Sequence, residues 1–131
     1  MRRNTIALAI GGTLIVAALA LGATVHAGAK NTQTVTVNTA SRNAFGSLGS
    51  ARNSANTVEF IGCYTNQAGV TGCSARNAAN TFINCTTTDA NFRSAVNSLN
   101  GDSRIYFEWN TANTCTVIQV ENYSSWAPKN P

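Results

Sequence analysis

The chain has 131 residues, of which 9 are Lys or Arg, 5 are Asp or Glu and 1 is His. This length accommodates one domain at most. Without residues 1–27, seven cations and five anions remain, so the net charge is +2 and no histidine is left. These counts exclude histidine-dependent catalytic triads and histidine metal sites, and they argue against nucleic-acid binding, which needs a basic patch.

The N-terminal segment is typical of a secretory signal peptide. Arg2 and Arg3 precede an uncharged, mostly apolar run over residues 5–25, and Val25-His26-Ala27 offers small residues at the two positions that signal peptidase reads. Cleavage there would release residues 28–131 as a single secreted domain. The apolar run is also long enough to span a bilayer, so an uncleaved membrane anchor is the alternative.

The exported part begins with strand signals separated by a polar stretch. Alternating Thr and Val over residues 34–37 predict a short strand, and residues 39–56, rich in Asn, Ser, Gly and Ala, predict a long surface loop. Alternating runs over 58–65 and 70–76 predict two strands joined by a three-residue loop. That loop ends at Gly69, which suits the left-handed conformation required there.

The four cysteines, an even number in the exported part, predict two disulfides in an oxidising compartment. They lack the Cys-x-x-Cys spacing of a metal site. Counting back from Gly69 along both predicted strands places Cys63 opposite Cys73, within disulfide reach. By subtraction, the second bridge joins Cys85 to Cys115, and closing its loop of about 30 residues would contribute roughly 3–4 kcal/mol to stability.

One amphipathic helix is predicted over residues 88–100. Thr88 is a candidate N-cap, Asp89 suits the positive N-terminal end, and Asn100-Gly101 would end the helix. The apolar face carries four residues at helical spacing: Phe92, Ala95, Val96 and Leu99.

The remaining runs complete the predicted fold. A short strand over 81–86 precedes the helix, and strands over 104–109 and 115–123 follow it. Alternation places Ile105, Phe107 and Trp109 on one face of the first of these. The order β-β-β-β-α-β-β predicts an α+β fold, either a small antiparallel sheet or a half-open OB-like barrel, with one helix and two disulfides.

A short sequence repeat links two distant segments. Residues 50–57 read SARNSANT and residues 74–81 read SARNAANT. One interpretation is that both are polar turns leading into strands, since Asn tolerates turn conformations. The other is that the Arg-Asn pairs form two similar polar sites for sugar hydroxyls, carboxylates or phosphates. These pairs are Arg52 with Asn53 and Arg76 with Asn77.

Candidate catalytic groups are few. Glu59, Glu108 and Glu121 could supply the carboxylate pair of a glycosidase, but no spacing brings two of them together. No Ser or Cys has a suitably placed base to activate it. We therefore expect a non-enzymatic protein that uses no cofactor and no metal.

Aromatic residues are more informative than the charged ones. Tyr106 lies on the strand face opposite Ile105, and Trp126 lies in the C-terminal tail, both near polar residues. Rings flanked by Asn, Arg and Glu are typical of carbohydrate or peptide contact surfaces. The alternative is that the C-terminal aromatics fix the tail. The candidate ligand contacts are therefore Arg52, Asn53, Arg76, Asn77, Tyr106 and Trp126.

Several motifs carry a resemblance to known families. They are Ile61-Gly62-Cys63, CSARNAA at residues 73–79, Cys85 before the helix, GDSRIYF at residues 101–107, and Cys115-Thr116. With these, residues 61–123 resemble a family of small secreted bacterial proteins without an assigned activity. The order of elements alone is similar to the binding subunits of bacterial AB5 toxins of the subtilase cytotoxin type. That similarity implies an OB-type barrel and glycan binding as a pentamer, although the second bridge and the Asn-rich repeats depart from the pattern.

Together, these features predict a secreted domain that binds a glycan or another cell-surface molecule, with homo-oligomers as a further expectation. We expect no nucleic-acid partner and no membrane contact beyond the N-terminal segment. One alternative is a structural or assembly protein of the cell surface, whose strand at 34–37 pairs between chains. Another is a secreted inhibitor or antimicrobial toxin that presents the loop at 41–56.

Overall fold

The computed structural model describes residues 28–128, so the predicted signal peptide or anchor at residues 1–27 lies outside the described part. In chain order, the elements are β1 (Thr36–Asn38), β2 (Asn43–Ser47), α1 (Leu48–Asn53), β3 (Phe60–Thr65), β4 (Thr71–Arg76), β5 (Phe82–Thr87), α2 (Ala90–Asn97), β6 (Arg104–Trp109) and β7 (Cys115–Glu121). The predicted α+β class is confirmed. None of the helices described here is long and apolar enough to cross a membrane.

The strands form two antiparallel sheets, which do not close into a barrel. One sheet has the order β1-β2-β6-β7 and the other the order β3-β4-β5. Both contribute to a shared core, as does α2. The predicted alternation of β6 is confirmed, because Ile105, Phe107 and Trp109 are buried while Tyr106 is half-buried on the opposite face. The other sheet contributes Ile61, Cys73, Ala75 and Cys85 to the core.

Both predicted disulfides are confirmed. The hairpin register places Cys63 opposite Cys73, and these two cysteines are bonded. Gly69 has a positive φ of 85°, as the three-residue loop requires. The second bridge joins Cys85 of β5 to Cys115 of β7, so it ties the two sheets together covalently.

The long surface loop predicted over residues 39–56 is wrong, because this stretch forms β2 and α1. Small side chains permit the close packing: Ala44 is fully buried, and a Cβ on Gly46 would lie 3.1 Å from Val35. The hydroxyl of Ser47 caps α1 by accepting a hydrogen bond from the Ser50 backbone N–H. Because its buried positions hold small residues, the sequence of β2 has no hydrophobic pattern that would predict a strand. Because much of it is buried, this stretch also does not present the exposed loop expected of an inhibitor.

The boundaries of the predicted helix also change. Asp89, not Thr88, is the N-cap of α2, and its carboxylate accepts a hydrogen bond from the Asn91 N–H at 2.8 Å. The predicted apolar face is confirmed, since Val96 is buried and Phe92 and Leu99 pack against the core. The helix therefore covers one side of the shared core.

Candidate functional site

The outer face of the β3-β4-β5 sheet carries one arginine between two exposed phenylalanines, and a third exposed ring lies further along β3. Phe60, Arg76 and Phe82 are directly opposed across the three strands, and Tyr64 lies on the same face of β3. Phe60, Tyr64 and Phe82 are 40%, 50% and 47% exposed. We call these four residues the aromatic face. Grouped exposed aromatics of this kind mark interaction surfaces on soluble proteins.

Arg76 lies between the two phenylalanines of this face. Its guanidinium carbon is 5.6 Å from the Phe60 ring centroid and 5.2 Å from that of Phe82, within cation–π range. Its Nε is buried and has no hydrogen-bond partner among the described residues. Within residues 28–128, no carboxylate forms an ion pair with Arg76. The aromatic face therefore presents a positive charge that no described acidic group neutralises.

Small and polar residues separate the phenylalanines from Tyr64. Gly62, Ser74 and Asn84 form the next row across the sheet. In the described part of the chain, no atom lies within 4 Å of the position that a Cβ on Gly62 would take, so the surface is open there. The Tyr64 ring lies over Gly72, where a Cβ would be 2.5 Å from the ring. The hydroxyl of Ser74 and the amide of Asn84 therefore lie on this face between the phenylalanines and Tyr64.

A small cavity adjoins the aromatic face at Phe60. It has a volume of about 160 Å³ and is lined by Leu48, Ala51, Arg52, Glu59, Phe60 and Ile61. Because α1 packs against β3, Arg52 of the first repeat comes to lie beside Phe60. Of the six predicted contact residues, Arg52 and Arg76 thus lie at this surface, and Asn77 follows Arg76 directly.

The two copies of the repeat have different structures. The first copy forms the end of α1, and the second forms the end of β4 and a turn. The Asn77 side chain accepts a hydrogen bond from Thr81 N–H at 2.9 Å, so the turn interpretation is confirmed for this copy. In the first copy, the Asn53 side chain donates to the Pro128 carbonyl at 2.9 Å. The two Arg-Asn pairs therefore do not form equivalent sites.

Tyr106 lies on the other sheet, away from the aromatic face. Its ring stacks on Phe45 with a centroid distance of 6.3 Å, and its hydroxyl donates a hydrogen bond to Glu108. This hydrogen bond, with burial and the negative charge of Glu108, raises the pKa of Tyr106 above its ordinary value of 10.0. The Tyr106 hydroxyl is therefore already engaged within the protein.

Trp126 fixes the C-terminal tail, the alternative that the sequence left open. Residues Asn31 and Trp126 form a parallel bridge, and the Ala127 N–H donates to the Asn31 carbonyl at 2.9 Å. The Arg104 guanidinium lies over the Trp126 ring at 5.7 Å and pairs with Glu121 at 2.7 Å. Trp126 thus contributes to the contact between the two ends of the domain.

A second, larger cavity lies beside Trp126. It has a volume of about 410 Å³ and is lined by Lys30, Asn100, Gly101, Asp102, Asn122, Tyr123, Ser124, Trp126 and Pro128. Tyr123 is 65% exposed at its rim. This cavity offers mixed polar groups, and both Tyr123 and Trp126 are part of its lining.

The three carboxylates considered for catalysis each have a partner within the protein. Glu59 accepts hydrogen bonds from the Val35 N–H and, at 2.7 Å, from the Ser54 hydroxyl. Glu108 accepts from Tyr106, and Glu121 pairs with Arg104. These contacts give each carboxylate a structural role.

Sequence reasoning missed Phe60, Tyr64 and Phe82 as site residues. A usable signal existed, since the hairpin register that pairs Cys63 with Cys73 also places Phe60 opposite Arg76. Extending it to Phe82 required the register of β5, which the sequence did not provide.

Comparisons with protein-family models, with curated proteins and with solved structures found no match to this chain.

Proposed function

We propose that this chain is a secreted, non-enzymatic binding domain for glycans, and that the aromatic face is its contact surface. The observation that supports this most strongly is that Phe60 and Phe82 flank Arg76, with Tyr64 exposed further along the same sheet face. A flat face of this kind suits an extended ligand that lies across the strands.

The chemistry of the aromatic face suits sugars in particular. Aromatic rings pack against the apolar C–H faces of sugar rings, while nearby polar groups fix the orientation. Ser74 and Asn84 lie between the rings, and an amide can both donate to and accept from sugar hydroxyls. Arg76 adds directed donors between the two phenylalanines, and Arg52 adds more beside Phe60.

The compartment is consistent with a cell-surface ligand. Two disulfides indicate an oxidising, extracellular-type environment. The predicted signal peptide at residues 1–27 supports secretion of the domain, and residues 28–131 would then meet glycans outside the cell.

A binding role also agrees with the contacts of the acidic residues. Glu59, Glu108 and Glu121 are held by hydrogen bonds or an ion pair, and Glu108 and Glu121, which share one sheet face, are four residues apart along the paired strands β6 and β7. A glycosidase needs two carboxylates on either side of one bond, with separations of up to about 9.5 Å. The engaged positions of these residues favour binding over hydrolysis.

A glycan array with the disulfide-bonded protein tests the proposal. We expect a signal that free sugar competes away and that falls at least about tenfold in Phe82→Ala, since stacking contacts carry much of such binding. Tyr123→Ala is the control, because it removes an even more exposed ring at the other cavity. Loss in Tyr123→Ala with none in Phe82→Ala would place the ligand beside Trp126 and overturn the assignment of the surface.

A further inference from the structure

The outer edge of β3 presents main-chain groups that have no partner. The Asn66 N–H donates to the Val70 carbonyl at 3.0 Å. This hydrogen bond determines which residues of β3 form main-chain hydrogen bonds with β4. Counting back by two, the main-chain groups of Tyr64, Gly62 and Phe60 point toward β4. Those of Ile61, Cys63 and Thr65 therefore point outward, and among the described residues none hydrogen bonds to them.

The other sheet edges are better protected than β3. β1 has three residues, a length that offers little to an incoming strand. β5 is covered near its end, where Thr86 N–H donates to the Asn113 carbonyl at 3.1 Å and Cys85 is bonded to Cys115. β7 includes the charged Glu121, and its pairing with β6 is interrupted by a register shift. By contrast, β3 has six residues without charge, proline or bulge.

We propose that β3 pairs in antiparallel fashion with β3 of a second copy of this chain. The outward residues are evenly spaced about Cys63, so a two-fold axis there makes the edge complementary to itself. Cys63 faces its own counterpart, and Ile61 faces the partner's Thr65. This register forms about six main-chain hydrogen bonds. Because β3 carries no charge, no like charges meet at the axis.

The space above Gly62 fits this arrangement. In the proposed register, Gly62 lies directly opposite the partner's Tyr64 on the outer face, and no residue within 28–128 fills the position above Gly62. A partner ring beside an edge glycine is a stabilising contact in sheets. The two aromatic faces then become one six-stranded surface to which each copy contributes Tyr64. This last consequence rests on the proposed function, whereas the pairing itself does not.

Sedimentation velocity over a concentration series, on the disulfide-bonded protein recovered from a secretory route and without sugar, tests the pairing. We expect a reversible monomer–dimer equilibrium in the wild type. Gly62→Lys places like charges near the axis in a position free of clashes in its own chain, and we expect it to weaken the dimer about tenfold or more. Asn84→Lys adds the same charge on the same row of the sheet but on β5, and should leave the dimer unchanged.

Hydrogen exchange on the wild type gives a readout that needs no variant. The amides of Ile61, Cys63 and Thr65 should become protected as concentration rises, while the already bonded amides of β3 should not change. A protein that stays monomeric at its highest soluble concentration would overturn the proposal, as would a dimer that both lysine variants weaken equally. Neither result depends on glycan binding, so failure here and failure on the array remain distinguishable.

Discussion

The guanidinium of Arg76 lies 5.2 Å from the ring centroid of Phe82, its directly opposed neighbour on the next strand. The same guanidinium reaches the Phe60 ring on the other side, while its Nε is buried without a partner. Burying a donor without a hydrogen bond is destabilising, so this geometry is costly unless a ligand or water completes it.

This relationship predicts opposite effects on binding and on stability. Replacing Arg76 with Leu removes the buried unpaired donor and keeps an apolar stem, so the free energy of unfolding should stay within about 1 kcal/mol of the wild type or rise. Affinity for a bound glycan should fall about tenfold to a hundredfold, since hydrogen bonds to charged groups are lost. Thermal unfolding and calorimetric titration of one preparation check both. A destabilised protein with unchanged affinity would contradict the role given to Arg76.

The two disulfides should contribute unequally to stability. Cys63 and Cys73 are separated by 10 residues, while Cys85 and Cys115 are separated by 30 and join the two sheets. On chain-entropy grounds, replacing both cysteines of the long-range bridge with Ser should cost about 3.6 kcal/mol, against about 2.7 kcal/mol for the hairpin bridge. Urea unfolding of the two double variants measures the free energy of unfolding lost with each bridge. A larger loss on removal of the hairpin bridge would contradict this prediction.

The C-terminal tail should detach when its contact with α1 is blocked. A Cβ on Gly49 would lie 2.0 Å from the Ala127 carbonyl oxygen, a distance that backbone atoms cannot accommodate. We expect Gly49→Ala to lower the free energy of unfolding by about 1–3 kcal/mol and to expose Trp126. Intrinsic fluorescence and thermal unfolding report these changes. Gly101→Ala is the control, because nothing lies within 4 Å of its Cβ position.

Alkaline pH should weaken the fold through Tyr106. The hydrogen bond to Glu108 raises the pKa of Tyr106 in the folded state above 10.0, its value when unperturbed. The stabilisation is therefore fully present below pH 10.0 and is lost as pH rises through the higher folded-state pKa. A tyrosinate absorbance titration should show one tyrosine that ionises at higher pH than the others, and Glu108→Gln should lower the pKa of that tyrosine. Unchanged titration in Glu108→Gln would contradict the assigned cause.

Local registers could be predicted from the sequence, whereas packing that depends on small residues could not. Counting from Gly69 gave the pairing of Cys63 with Cys73, because a tight hairpin fixes which residues are opposed. β2 escaped prediction because its buried positions are filled by Ala44, Gly46 and Ser47, which carry no hydrophobic pattern. The sequence of β2 therefore has the composition of a loop, although the strand is buried in the β1-β2-β6-β7 sheet.

The candidate site was missed for a related reason. Its rings come from β3 and β5, with Arg76 between them on β4, so it exists only once three strands are in register. The repeat drew attention to both Arg-Asn pairs, yet nearly identical residues form a helix in one copy and a strand in the other. Local sequence was a weaker determinant there than the neighbouring elements, and Arg76 was identified without the rings that surround it.

The most direct test of the account is to locate a bound sugar on the protein. With a glycan that binds on the array, the ring resonances of Phe60, Tyr64 and Phe82 should shift on titration in nuclear magnetic resonance spectra. Those of Tyr123 and Trp126, at the other cavity, should stay in place. Shifts confined to Tyr123 and Trp126 would contradict the assignment of the aromatic face, and a folded protein that binds no sugar on the array would contradict the proposed function itself.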